Sequence, residues 1–138
     1  MSIVIIGAGL TGRGFIGRLM AEAGQTVKYI DQDAALVTAM KEAGSFNVPF
    51  FGDVRKPVTV SNYTITTWED ADLTDADLIF VSVGGTNLAA VGACLHEKLT
   101  KPCPIITCEN ASKPAAKLQA AITPNIYWLR RWSCPNGM

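Results

Sequence analysis

Short apolar runs alternate along this chain with longer stretches that carry an apolar side chain at every third or fourth position. Such runs are typical of strands buried on both faces of a parallel sheet, and such stretches are typical of amphipathic helices. The predicted strands run from Ile3 to Ile6, Val27 to Ile30, Leu78 to Val83 and Pro104 to Cys108. The alternation of the two patterns predicts an α/β domain.

Four helices are predicted between and after these strands. Their inward-facing residues are, in chain order, Phe15, Leu19 and Ala23; Leu36, Val37 and Met40; Leu88, Val91, Leu95 and Leu99; and Leu118 and Ile122. Gly24 and Gly44 suit the ends of the first two helices. Asp33 caps the second helix, Thr86 or Asn87 the third, and Ser112 with Pro114 opens the fourth.

The middle of the chain is less regular. Residues 45–57 predict an irregular loop, placed either beside a ligand cleft or over the sheet edge. The alternating segments 58–60 and 64–67 predict a hairpin or two short edge strands. The acidic residues from Glu69 to Asp77 lack a fixed ligand spacing, so we interpret them as a solvated connection and not as a metal site.

The order of elements predicts a doubly wound parallel sheet with helices on both faces, a three-layer α/β/α domain. In such a sheet the carboxyl ends of the strands meet at one edge, where the ligand binds. The strands end at Gly7, Asp31, Gly84 and Asn110. We therefore expect these four positions to converge on the binding site.

A glycine motif, Gly7-Ala8-Gly9-Leu10-Thr11-Gly12, follows the first strand and opens the first helix. The first glycine allows a sharp turn, the second lets the backbone approach a pyrophosphate, and the third lets helix and strand pack closely. The helix N-terminus offers unpaired N–H groups and a positive dipole end to the phosphates. In this context the motif predicts dinucleotide binding on an NAD(P)-binding Rossmann fold.

Asp31 ends the second strand, 19 residues after Gly12. A carboxylate there can accept hydrogen bonds from the adenosine ribose and would repel a 2′-phosphate, so NAD is favoured over NADP. The alternative is that Asp31 only caps the next helix, although Asp33 is better placed for that.

Composition excludes several other classes. The 138 residues are 49% hydrophobic and 17% charged, and the 12 basic and 12 acidic residues cancel. No basic patch indicates nucleic acid, and no segment resembles a signal peptide or a membrane span, so we expect a cytoplasmic protein without a membrane partner. The four cysteines show neither zinc nor disulfide spacing. The single histidine, His96, lies mid-helix and is interpreted as a surface residue.

The extended motif Gly12-Arg13-Gly14-Phe15-Ile16-Gly17 is more specific than the glycine fingerprint. With it, the chain resembles the amino-terminal domain of the mannitol-1-phosphate 5-dehydrogenases, in the long-chain mannitol (polyol) dehydrogenase family. The resemblance continues through Asp31, Val83-Gly84 and Cys108-Glu109-Asn110 and covers residues 2–122. It implies NAD(H)-dependent interconversion of a sugar alcohol, or its phosphate, with a ketose, without a metal.

The resemblance and the strand-end rule together define the expected site. The predicted cofactor-binding residues are Gly7, Gly9, Leu10, Thr11, Gly12, Asp31, Val83, Gly84, Gly85, Glu109 and Asn110. The resemblance implies that Asn110 lies near the nicotinamide and offers an accessory hydrogen bond to the reacting oxygen. No residue matches the family's catalytic lysine, and Lys113 and Lys117 do not inherit that role.

The resemblance also bears on domain organisation. Residues 1–122 are expected to form the NAD-binding domain, and residues 123–138 an atypical tail in which a sixth strand would fall at 126–129. The family's catalytic helical domain is absent from this sequence, which favours a truncated product or fragment, inactive alone and prone to self-association through an exposed apolar face. The alternative is a binding-only module that holds or senses NAD(H).

Overall fold

The computed structural model describes residues 1–52 and 55–122 of the chain. Its strands are β1 (Ile3–Ile6), β2 (Val27–Ile30), β3 (Phe46–Val48), β4 (Val58–Val60), β5 (Tyr63–Thr66), β6 (Leu78–Val81) and β7 (Ile105–Thr107). Its helices are α1 (Arg18–Glu22), preceded by a π-helical segment (Gly12–Gly17), α2 (Ala34–Ala43), α3 (Leu88–Lys98), preceded by a 3₁₀ turn (Gly85–Asn87), and α4 (Pro114–Ala121).

Five strands form one parallel sheet in the order β5-β2-β1-β6-β7. The order runs outward from β1 in both directions, so the chain switches sides of the sheet between β1 and β6. This is the topological switch point at which open α/β sheets bind their ligands. The predicted doubly wound sheet is confirmed.

The central strand shows why the sheet has three layers. All four residues of β1 are buried, and their side chains alternate between two cores. Val4 and Ile6 pack in the core that contains the buried residues of α3 and α4, whereas Ile3 and Ile5 pack in the core that contains those of α2 and Ile16. Alternate side chains of a strand point to opposite faces, so helices cover both.

The segment between α2 and β5 differs from prediction. Phe46–Val48 was expected to be irregular but pairs antiparallel with Val58–Val60 in a separate two-stranded sheet. The expected hairpin between the fourth and fifth strands is wrong, because Tyr63–Thr66 instead runs parallel to β2 at the edge of the main sheet. The alternative prediction of two short edge strands agrees better with the structure. Of the two, only β5 lies at the edge of the main sheet, because β4 belongs to the two-stranded sheet.

The first helix presents the opposite face from the one predicted. Phe15 and Leu19 are exposed, as is Ala23, and the buried residues are Gly12, Ile16 and Gly17. Apolar residues at 15 and 16 and again at 19 and 20 give this helix two apolar stripes, so spacing alone did not identify the inner one. The buried glycines mark it, because only they let the helix lie close to the sheet.

Helix ends follow local chemistry. Asp33 caps α2, with Oδ1 accepting from the N–H groups of Ala35 (3.0 Å) and Leu36 (3.2 Å), and Gly44 ends that helix in the left-handed conformation. Of the two residues predicted to cap α3, Thr86 and Asn87, the structure places Asn87 at the cap position, where its side chain makes no capping bond. The predicted tail of residues 123–138, with its sixth strand, lies outside the described residues. Within the described part of the chain, no helix is long and apolar enough to cross a bilayer.

Candidate dinucleotide-binding site

A cleft of about 650 Å³ opens at the carboxyl edge of the sheet, over the switch point. It brings together the predicted strand ends Gly7, Asp31, Gly84 and Asn110, and also Gly9, Leu10, Thr11, Val83, Gly85 and Glu109. The volume falls in the ordinary range of small-molecule sites. The predicted convergence is therefore confirmed as geometry, while the binding role of each residue stays a prediction.

The glycines of the motif differ in their surroundings. Gly7 has a φ of +100°, and a Cβ there would overlap the carbonyl of Ser82. A Cβ on Gly12 would overlap the carbonyl of Gly7, whereas one on Gly9 would meet nothing within 4 Å. Gly12 is buried and does not line the cleft, so its contribution is close packing, and Gly9 leaves open space for a ligand.

Asp31 is held by the turns on both sides of it. Its Oδ2 accepts a hydrogen bond from the N–H of Ala8 (2.8 Å), and its Oδ1 accepts one from the N–H of Asp33 (2.9 Å). The α2 cap is Asp33, so helix capping does not explain Asp31. Each carboxylate oxygen has a further lone pair, so this fixed, half-buried group can still accept bonds from a ligand's hydroxyl groups.

Glu109 and Asn110 follow β7 on the other side of the cleft. The two carboxylate oxygens of Glu109 accept from the N–H groups of Val83 (2.5 Å) and Gly84 (2.9 Å). The amide of Asn87 donates to the carbonyl of Val83 (2.7 Å). Asn110 is exposed at the rim of the cleft. Glu109 therefore contacts the protein backbone with both oxygens, an arrangement that sequence reasoning did not anticipate.

Sequence reasoning missed other residues that line the cleft, namely Ile6, Ile30, Gln32, Trp68, Ser82, Asn87, Ala90, Val91, Cys94, Cys108 and Ala111. Trp68 had a signal in the sequence, because it lies just beyond the end of β5. The strand-end rule would have placed it at this edge if that segment had been read as a parallel strand.

The ionisable residues considered as catalytic bases lie elsewhere. His96 is exposed on α3, as predicted, and neither His96 nor Lys113 lines the cleft. Lys113 precedes α4 with a φ of +49°. Across the described ranges, no group of three or more His, Cys, Asp or Glu side chains could hold a metal ion.

The fold and cleft define a Rossmann dinucleotide-binding domain of the dehydrogenase type. The ketopantoate reductase PanE/ApbA family model matches residues 3–130, and the chain belongs to this family. The fold resembles that of the putative 2-dehydropantoate 2-reductase from Enterococcus faecalis, with a TM-score of 0.68 and 25% identity over 88% of this chain and 37% of that one. The fold also resembles that of D-mandelate dehydrogenase in a ternary structure with NADH, with a TM-score of 0.72 and 24% identity over 89% of this chain and 38% of that one. At this identity the similarity shows the fold alone.

Curated relatives confirm the resemblance drawn from the sequence. Mannitol-1-phosphate 5-dehydrogenase of Shouchella clausii is 29% identical over 137 residues, 91% of this chain and 37% of that protein. The enzyme of Thermoanaerobacter pseudethanolicus is 33% identical over 123 residues, 80% of this chain and 32% of that protein. The chain thus spans about a third of the length of these relatives. The family and relative names differ in substrate, so what they share is the dinucleotide-binding dehydrogenase domain.

Proposed function

We propose that this chain is the NAD(H)-binding domain of a polyol dehydrogenase, serving hydride transfer between NAD(H) and a sugar alcohol or its phosphate. The observation that carries the proposal is the Gly7–Gly12 turn, with the carboxylate of Asp31 fixed beside it at the switch point of the sheet. The mannitol-1-phosphate 5-dehydrogenase relatives support the substrate class.

In the proposed pose the pyrophosphate lies against Gly9, Leu10 and Thr11, at the N-terminus of the first helix, and the buried Gly12 packs behind them. The first N–H groups of a helix have no partner within it, and its dipole favours an anion there. The adenosine ribose lies against Asp31, and the nicotinamide side lies near Gly84 and Asn110. The open space at Gly9 supports the placement of the pyrophosphate, and the exposure of Asn110 leaves its side chain accessible to a ligand.

NAD(H) supplies or accepts the hydride when it is bound. The residues described here bind and orient it. Asp31 fixes the adenosine end, the glycine turn cradles the phosphates, and Asn110 offers one hydrogen bond to the reacting oxygen. No lysine or histidine is among the described residues that line the cleft, so we propose that these 138 residues alone do not catalyse hydride transfer.

The test of this proposal is the ratio of NAD to NADP affinity, measured by calorimetric titration. We expect the wild-type chain to bind NAD at least about tenfold more tightly than NADP, because Asp31 would meet the 2′-phosphate with a like charge. Asp31→Ala should weaken NAD binding and make the affinities for NAD and NADP nearly equal. The ratio is needed because Asp31 also holds the N–H of Ala8, so its loss would loosen the turn for either cofactor.

Asp33→Ala is the matched control. It removes an aspartate two residues away that caps α2 and does not line the cleft, so it should lower stability and leave the ratio unchanged. Equal affinity of the wild-type chain for both cofactors would show that Asp31 does not contact the ribose. No binding at millimolar cofactor would refute the proposed function.

The binding-only alternative is favoured by one observation, the lack of a lysine or histidine among the described residues that line the cleft. It predicts the same cofactor binding and differs only in turnover by the full-length protein.

Self-association also stays a prediction, which sedimentation would test. The exposed side chains of Leu10, Phe15 and Leu19 supply the apolar surface that it needs.

A further inference from the structure

Glu109 occupies a position between two loops of the cleft. It follows β7, its side chain is half-buried, and its oxygens reach the loop after β6. One oxygen accepts from the N–H of Val83 and the other from the N–H of Gly84. Two consecutive backbone N–H groups are thus held by one carboxylate whose residue lies 26 and 25 positions away in sequence.

The peptide that Glu109 holds is a wall of the cleft. Gly84 has a φ of +86°, and the carbonyl of Val83 accepts from the side chain of Asn87. The same loop contacts the glycine turn, because Gly7 lies against the carbonyl of Ser82 and the side chain of Val83. A displacement of Val83 would therefore alter one wall of the cleft and the contact beneath the first glycine.

The contact sets two N–H donors against the two acceptor oxygens of one side chain. A carboxylate is acceptor-only, and both of its oxygens can receive an N–H. Hydrogen bonds to a charged acceptor are roughly twice as strong as neutral ones. A glutamine of the same size could satisfy one N–H with its oxygen but would turn its own NH₂ toward the other. The geometry thus distinguishes glutamate from its closest isostere.

We propose that Glu109 is a positioning residue that sets the nicotinamide-side wall of the cleft through the N–H groups of Val83 and Gly84. The proposal rests on the proposed function, since it assigns that wall to the nicotinamide half. The adenosine half is built from other residues, the glycine turn and Asp31. Loss of the Glu109 contact should therefore weaken binding of the whole dinucleotide and leave a ligand that reaches only the adenosine half unaffected.

The experiment titrates NADH and ADP into the wild-type chain, Glu109→Gln and the control Glu97→Gln. Glu97 is exposed on α3 and does not line the cleft, so Glu97→Gln makes the same loss of charge outside it. We expect NADH to bind about tenfold more weakly to Glu109→Gln, because one charge-assisted bond is lost and one N–H is left facing a donor. ADP affinity should stay within about twofold of the wild type, and Glu97→Gln should change neither.

The outcomes separate this proposal from the one on which it rests. A wild-type chain that binds neither ligand refutes the proposed function. A wild-type chain that binds NADH, with Glu109→Gln binding it equally well, overturns only the role of Glu109. Equal weakening of NADH and ADP also overturns it, because that result indicates a general loss of structure.

Amide hydrogen exchange on the ligand-free wild-type chain tests the same contact without a variant, should Glu109→Gln fail to fold. The N–H groups of Val83 and Gly84 should exchange at least about tenfold more slowly than those of exposed loop residues, because each is bonded to Glu109. Exchange as fast as in an open loop would overturn the proposal.

Discussion

Replacing Gly17 with alanine tests the packing that sets the position of the first helix. A Cβ at Gly17 would overlap the hydroxyl oxygen of Tyr29 and lie 2.9 Å from the carbonyl oxygen of Gly12. Tyr29 cannot move aside cheaply, because it is 1% exposed and its ring packs edge-on against Phe46 and Tyr63, with centroids 6.3 and 5.7 Å away. The helix would have to shift away from the sheet.

The magnitude follows from two opposing effects. Alanine in place of a helical glycine stabilises by about 1 kcal/mol where space is free, and overpacking a core costs about 1–3 kcal/mol. Gly14 lies in the same π-helical segment, and a Cβ there would meet nothing within 4 Å. Because two contacts at Gly17 are too short and one is to backbone, we expect Gly17→Ala to be about 3 kcal/mol less stable than Gly14→Ala.

Urea denaturation of the two variants and of the wild-type chain measures this difference. A third variant, Gly17→Ala with Tyr29→Phe, removes the hydroxyl that the new methyl group would meet. Its free energy of unfolding should be about 1 kcal/mol or more above the value expected from adding the effects of the two single changes, as for a coupled pair in a double-mutant cycle. Equal stability of Gly17→Ala and Gly14→Ala, or strict additivity with Tyr29→Phe, would refute the reasoning.

Two further predictions concern acid stability and catalysis. The N–H of Ser2 (2.7 Å) and, to a smaller extent, the Lys101 ammonium lower the pKa of Asp77. The ionised Asp77 therefore stabilises the folded chain above the ordinary carboxyl pKa, about 3.9, and this stabilisation is lost as pH falls through the lower pKa of the folded state. When the pH is lowered below about 4, the melting temperature of Asp77→Asn should therefore fall less than that of the wild-type chain. The 138-residue chain should show no change in NADH absorbance with fructose 6-phosphate, fructose, mannitol 1-phosphate or mannitol. Turnover near that of an intact relative would contradict this and direct the search for a base to His96 and Lys113.

The fold was predictable where one pattern had one solution. The apolar runs identified β1, β2, β6 and β7, because a short continuous apolar run between turn residues is typical of a strand in the middle of a parallel sheet. The glycine motif fixed the strand-turn-helix unit and hence the edge of the sheet that carries the cleft. These features depend on local sequence, which a single chain displays in full.

The errors arose where two solutions share one pattern. Phe15 and Ile16 are adjacent and both apolar, and the choice between them depends on how closely the helix approaches the sheet. Tyr63–Thr66 is as good an edge strand in a hairpin as in a parallel pair, and misplacing it left Trp68 out of the site. The bonds of Glu109 join residues 25 and 26 positions apart, and nothing in local sequence encodes such a contact.

The cleft uses the same chemical arrangement at each of its two ends. Asp31 accepts two backbone N–H groups at one end and Glu109 accepts two at the other, so each carboxylate braces a turn while leaving a negative charge beside the cleft. Between them lies the N-terminus of the first helix, where an anion is favoured. A ligand with charge at its centre and neutral sugars toward its ends fits this distribution, and an added phosphate at the Asp31 end does not. This charge layout is the one that the proposed NAD site requires, and two side chains supply it that also brace the turns around them.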